Sequence, residues 1–379
     1  MSPISKAALL EATRLTRAGR LDEALAALTG RAAPAVGTER DAPAGQPRMP
    51  HAGPDLSALG DMAARLGAGL GAGLKKMPFE LPGGLGAKAP APEPKLAPGA
   101  RFESLDHTGM AGTRAYRLYV PSTYREAPMP LVVMLHGCTQ SPEDFAAGTR
   151  MNEVAEEHGF LVAWPAQSKA ANASKCWNWF KPEDQGRERG EPSLIAGIVR
   201  DIERDFAVEA GRVFVAGLSA GGAQAAIMGA AYPDLFRAVG VHSGLACGAA
   251  SDMGSAFSAM RNGAPARPRA PGAAPIPTIV FHGDEDATVH PANAQSVAHG
   301  ARGPHALEAR EETGTAPGGR AYSRRVETDG SGRVVLETWT LHGGPHAWSG
   351  GSAAGTYTDP AGPDASRAMA RFFLAQPHG

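Results

Sequence analysis

Cysteine is scarce in this chain, with Cys138, Cys176 and Cys247 the only three among 379 residues. So few exclude a disulfide-built scaffold, although one pair remains available in an oxidising compartment. An excess of charge is missing as well: 37 Lys and Arg stand against 38 Asp and Glu. That balance removes the electrostatic ground for binding nucleic acid or an anionic membrane surface. No apolar run approaches the roughly 20 residues needed to cross a bilayer. The first stretch, MSPISKAALLEATRLTRAGRL, is broken by charge before a signal-like core develops, and on that reading the expected location is cytoplasmic. Paired His or Cys spacing for a metal is lacking, as are G-x-x-x-x-G-K and a convincing dinucleotide fingerprint, so neither metal nor cofactor is expected.

What is present divides the chain into three parts. Residues 1–30 read as a helical appendage, with Leu21, Leu25 and Leu28 on one face and Gly30 as a stop. Residues 31–100 turn to Ala, Pro and Gly, as in AKAPAPEPKLAPG, which has little to bury and reads as a flexible linker. From 101 to 379, short apolar runs (PLVVMLHG, FLVAWP, RVFVAGLS, TIVFHGDED, VVLETWTLHGG) alternate with helical stretches such as EDFAAGTRMNEVAEEHG, SLIAGIVRDIERDF and DASRAMARFFLAQ. That alternation predicts an α/β domain with a mostly parallel sheet covered on both faces and functional loops at the strand ends. Residues 251–275, rich in Pro, Ala, Arg and Gly, read as an exposed excursion.

The stretch VFVAGLSAGGAQAA carries Gly217, Ser219 and Gly221 where a strand becomes a helix, the pattern of a nucleophile elbow. A serine hydroxyl attacks well only when a histidine takes its proton and a carboxylate fixes that histidine's tautomer. Both residue types follow in the order Ser, Asp, His. FHGDEDATVHP offers Asp286 by the pattern HG-x-x-D-x-x-V, with Asp284 as the alternative. GGPHAWSGG offers His346, with His342 nearer the strand as the fallback. Acyl transfer also needs N–H donors for the developing oxyanion. Ala220, which follows the serine, supplies one, and Cys138 in LHGCTQ supplies the other.

Together LHGCTQSPEDFA, PAQSKAANASKCWNWF, GLSAGGAQA, FHGDEDATVHP, GPHAWSGG and YTDPAGPDASRAMARFF make the chain, from about residue 101 to its end, resemble the polyhydroxybutyrate depolymerase family of esterases, with feruloyl and acetylxylan esterases among its relatives. The resemblance implies an α/β-hydrolase fold, Ser219, Asp286 and His346 as triad, and hydrolysis of (R)-3-hydroxybutyrate polyester or its oligomers without a cofactor. It also implies a disulfide between Cys138 and Cys176, and secreted relatives imply an extracellular or periplasmic location instead of a cytoplasmic one. Cys247 is left as a buried thiol. Trp177, Trp179, Phe180 and Trp348 are candidates for the apolar wall of an ester cleft, and Gln167 and Asn172 for orienting loops. The partner expected is a polyester or small ester; the oligomeric state is left open. Two other readings stand beside this one: a feruloyl, aryl or other short-chain carboxylesterase, and an inert granule-surface protein that binds through residues 31–100.

Overall fold

Runs of β-branched and large apolar side chains bounded by Gly and Pro form strands when both of their faces can be covered, and several stretches of this chain meet that condition. A computed structural model describes residues 93–266 and 276–377. The calls for 1–30 and for most of 31–100 lie outside the described residues.

The described residues begin their sheet with a hairpin, β1 (Arg101–Gly109) and β2 (Gly112–Val120), followed by β3 (Met129–Leu135), β4 (Leu161–Pro165), β5 (Val208–Leu218), β6 (Ala238–His242) and β7 (Thr278–Gly283). A second hairpin, β8 (Glu308–Thr315) and β9 (Ala321–Thr328), precedes β10 (Val334–Leu341), and a two-residue pair, β11 (Trp348–Ser349) and β12 (Thr358–Asp359), lies apart. The sheet order is β1-β2-β4-β3-β5-β6-β7-β10-β9-β8. Its centre, β4 through β10, is parallel, and the two hairpins are antiparallel flanks.

The helices are α1 (Pro142–Thr149), α2 (Met151–His158), α3 (Gly190–Asp205), α4 (Ala220–Ala231), α5 (Met253–Asn262), α6 (Ala292–Arg302) and α7 (Ala365–Leu374). Alternate strand residues point to opposite faces. Leu131, Val133, Val213, Val215, Val239 and Val280 pack with α3, α4 and α6. Their neighbours Val132, Met134, Phe214, Ile279 and Phe281 pack with α1, α2 and α7 on the other side. The result is the three-layer α/β-hydrolase arrangement.

Two local expectations change. The single helix expected over 143–159 is split at Arg150, whose φ of 58° and ψ of 22° are left-handed, so α1 ends and α2 begins at that residue. The excursion at 251–275 contains α5, started by a capping box in which Asp252 and Ser255 satisfy each other's backbone N–H; residues 267–275 are outside the described set.

Register decides where the loops emerge. Leu135 is paired with Gly217, Leu218 with His242, His242 with Phe281, and Gly283 with Leu341. The carboxyl ends of β3, β5, β6, β7 and β10 are therefore level, and their loops leave the sheet on one edge.

Candidate active site

Ser219 sits between β5 and α4 with φ 57° and ψ −119°, a conformation non-glycine residues avoid. The strain is held by packing: Ser219 N–H donates to the His242 carbonyl at 2.9 Å, and Ala223 N–H to the Ser219 carbonyl at 3.0 Å. Gly221 is obligatory there, because a Cβ would overlap the carbonyl oxygens of Leu135 and His136. The turn thus brings β5, α4 and the end of β3 into backbone contact, which only glycine permits.

The loops after β7 and β10 meet in the same way. Glu285 N–H donates to the Gly344 carbonyl at 3.2 Å and Asp284 N–H to the Leu341 carbonyl at 3.1 Å. On these loops His346 Nδ1 lies 2.7 Å from Asp286 Oδ2. The other oxygen of Asp286 accepts the N–H groups of Thr288 at 2.9 Å and Val289 at 2.8 Å. Burial alone raises a carboxyl pKa, but the hydrogen bond and charge of His346, with the Val289 N–H, outweigh it and hold Asp286 below the usual carboxylate range. An ionised Asp286 makes Nδ1 of His346 the protonated nitrogen and leaves Nε2 with its lone pair, the tautomer a general base requires.

The alternatives raised by the sequence form a pair of their own. Asp284 Oδ2 stands 2.9 Å from His342 Nδ1, and Oδ1 accepts the Gly343 N–H at 2.6 Å. His342 Nε2 is 2.8 Å from Ser323 Oγ on β9. Both side chains of this second pair are about two-fifths exposed, and Ser323 lies within a strand, with neither an elbow nor a helix N-terminus behind it. The first dyad is enclosed, the Asp286 side chain completely.

Ala220 directly follows the serine, and Cys138 lies on the loop after β3, whose end meets the Gly221 turn. Among the described residues neither of their backbone N–H groups has a protein acceptor, and Ala220 opens α4, where the helix dipole favours negative charge. A disulfide joins Cys138 to Cys176, and beside it Thr139 N–H donates to the Ser174 carbonyl at 2.7 Å. Gln167 and Asn172 hold the partner loop: Gln167 Nε2 donates to the Cys176 carbonyl at 3.0 Å, and Asn172 Oδ1 accepts the Ser174 N–H at 3.0 Å. Cys247 stays outside the disulfide and is half-buried, not buried as expected.

The aromatic residues offered as a cleft wall are largely enclosed. Trp177 is buried and donates its Nε1–H to the His136 carbonyl at 3.1 Å. Trp348 is buried against Phe145 and His242 and donates to Ser366 Oγ at 3.1 Å. Trp179 is buried as well, edge-on to Phe180, itself buried. All four rings pack inside the fold, and the indole N–H groups of Trp177 and Trp348 have acceptors there.

Two buried histidines outside the candidate triad, His136 and His242, hold the scaffold. His242 Nε2 accepts the Ser349 N–H at 3.0 Å, tying the strand under Ser219 to the chain just past His346. His136 Nε2 accepts the Gln167 N–H at 3.0 Å while its Nδ1–H donates to the Gly137 carbonyl at 2.7 Å. Burial pushes His242 down to about 3 and His136 to about 4. Unfolded histidine takes up its proton near pH 6.5, before either folded one does, so the unfolded state binds more protons and stability falls as pH drops from 6.5 toward 4. Each histidine contributes a slope of up to about 1.4 kcal/mol per pH unit. Denaturant unfolding at pH 7.5 and pH 5 measures it; equal stability at both would contradict these neutral roles.

Among the described residues no cluster of three or more His, Cys, Asp or Glu is placed to hold a metal ion, and no helix is long and apolar enough to cross a membrane. The sequence profile of the esterase PHB depolymerase family matches residues 114–303. The chain belongs to that family. It is 33% identical over 239 residues to poly(3-hydroxyalkanoate) depolymerase C of Paucimonas lemoignei, covering 60% of this chain and 57% of the relative. It is also 33% identical over 129 residues to feruloyl esterase B of Neurospora crassa, covering 34% of this chain and 43% of that one. The chain thus spans less than two thirds of these relatives. Among solved structures an acetyl xylan esterase from Aspergillus awamori superposes with a TM-score of 0.54 at 21% identity, over 65% of this chain and 94% of that one, and shares the fold.

Proposed function

We propose that this family member is a serine esterase cleaving poly(3-hydroxybutyrate) or its oligomers through an acyl-enzyme. The observation that carries the reading is the 2.7 Å Asp286–His346 hydrogen bond at the sheet edge where Ser219 occupies its strained elbow. In this reading Ser219 Oγ attacks the ester carbonyl as His346 Nε2 takes its proton, and Asp286 stabilises the imidazolium. The Cys138 and Ala220 N–H groups receive the oxyanion. His346 then protonates the leaving alcohol, and water, activated by the same nitrogen, releases the acid. The similarity to the depolymerase of P. lemoignei supports a hydroxyalkanoate substrate, and the Cys138–Cys176 disulfide supports an oxidising compartment.

The test is product analysis with amorphous poly(3-hydroxybutyrate), soluble 3-hydroxybutyrate oligomers and a feruloyl ester, with Ser219→Ala as control. Hydroxybutyrate released from polymer or oligomers by the wild type alone is the expected result. Cleavage of the feruloyl ester alone would replace the substrate and keep the mechanism, and no hydrolysis of any of them would overturn both.

A further inference from the structure

Tyr357 is 48% exposed, and no other aromatic ring is among the large apolar side chains left exposed in the described residues. It stands just before β12, its carbonyl accepting the Trp348 N–H at 2.7 Å, so it is fixed to the chain two residues past His346. Its φ of 52° is left-handed, a conformation an aromatic residue keeps only when the surroundings impose it.

Those surroundings belong to the oxyanion loop. Gly137 N–H donates to Gln140 Oε1 at 2.9 Å, and Gln140 Nε2 donates to the Thr356 carbonyl at 3.0 Å and to Asp144 Oδ2 at 3.0 Å. Asp144 Oδ1 in turn accepts the Thr356 N–H at 2.9 Å. Gln140 and Asp144 are buried, so a satisfied internal network locks the residue before Tyr357 onto the loop bearing Cys138. Thr139, likewise left-handed at φ 68°, donates its hydroxyl to the Cys138 carbonyl at 2.6 Å and lies with that oxygen 3.4 Å from the Tyr357 hydroxyl. Two strained residues, one on each loop, thus meet next to Cys138.

We propose that Tyr357 is a specificity-determining residue whose ring is the apolar platform for the part of the ester flanking the scissile carbonyl, which in a hydroxyalkanoate is a methyl-bearing unit. The inference rests on the serine-esterase reading. A ring with an apolar face and a polar tip suits a substrate that alternates methyl groups with ester oxygens. An acetyl ester of a small alcohol is too short to use such a platform.

The experiment compares wild type, Tyr357→Ala and Tyr357→Phe on ethyl acetate and on whichever of 3-hydroxybutyrate trimer and methyl ferulate the wild type turns over faster. Expected for Tyr357→Ala is a KM raised about tenfold or more on the longer ester, with kcat and the acetate reaction within about threefold of wild type. Tyr357→Phe is expected to restore the KM. An unchanged KM in the alanine variant, or an equal loss on both esters, would overturn the proposal. A small phosphonate that labels Ser219 in wild type separates the readings: labelling with an indifferent Tyr357→Ala removes the tyrosine's role alone, whereas no labelling and no turnover remove the esterase reading.

Discussion

Asp286→Asn is expected to lower kcat for ester hydrolysis by about 10⁴-fold with KM little changed, whereas Asp284→Asn is expected to stay within about tenfold of wild type. The asymmetry follows from what each carboxylate touches. Oδ1 of Asp286 is committed to the N–H groups of Thr288 and Val289. An asparagine there keeps its carbonyl oxygen on those donors and turns its NH₂ toward His346 Nδ1. The imidazole then carries its proton on Nε2, the nitrogen that must accept one from Ser219. Asp284 faces His342 across a half-exposed surface where solvent replaces a lost partner readily. Steady-state kinetics on a short acyl ester measure both variants, and a large loss at Asp284 with a small one at Asp286 would reverse the assignment.

The competition between these two acids also marks how far the sequence could be read. The elbow at Ser219, the acid loop and the histidine loop were legible because each follows a buried parallel strand, and such strands announce themselves as continuous apolar runs. The flanking hairpins were not. β8 reads EAREETGT and is largely exposed, and β1 reads RFESLDHTG with its residues at most half-buried; edge strands carry charge and leave no apolar run to find. Side-chain direction was the other limit. Composition marks Trp177 and Trp348 as large aromatics beside functional loops, but whether such a ring faces inward depends on contacts such as Trp348 to Ser366 that only the folded chain makes. The Asp144–Thr356 link joins residues 212 positions apart and has no local signature.

Ser219→Ala is expected to abolish turnover by four to six orders of magnitude, roughly the cost of losing the nucleophile of a serine hydrolase. The fold should survive, since the strained turn is held by backbone contacts to His242 and Ala223 that alanine keeps. Kinetics alone would leave one rival standing, because Ser323, His342 and Asp284 make a second serine, histidine and carboxylate chain. The deciding measurement is mass spectrometry of peptides from the wild-type protein after reaction with an organophosphonate ester. The account predicts a single adduct on Ser219, lost in Ser219→Ala and slowed strongly in Asp286→Asn. An adduct on Ser323, or none on Ser219 in a protein that still hydrolyses esters, would contradict it.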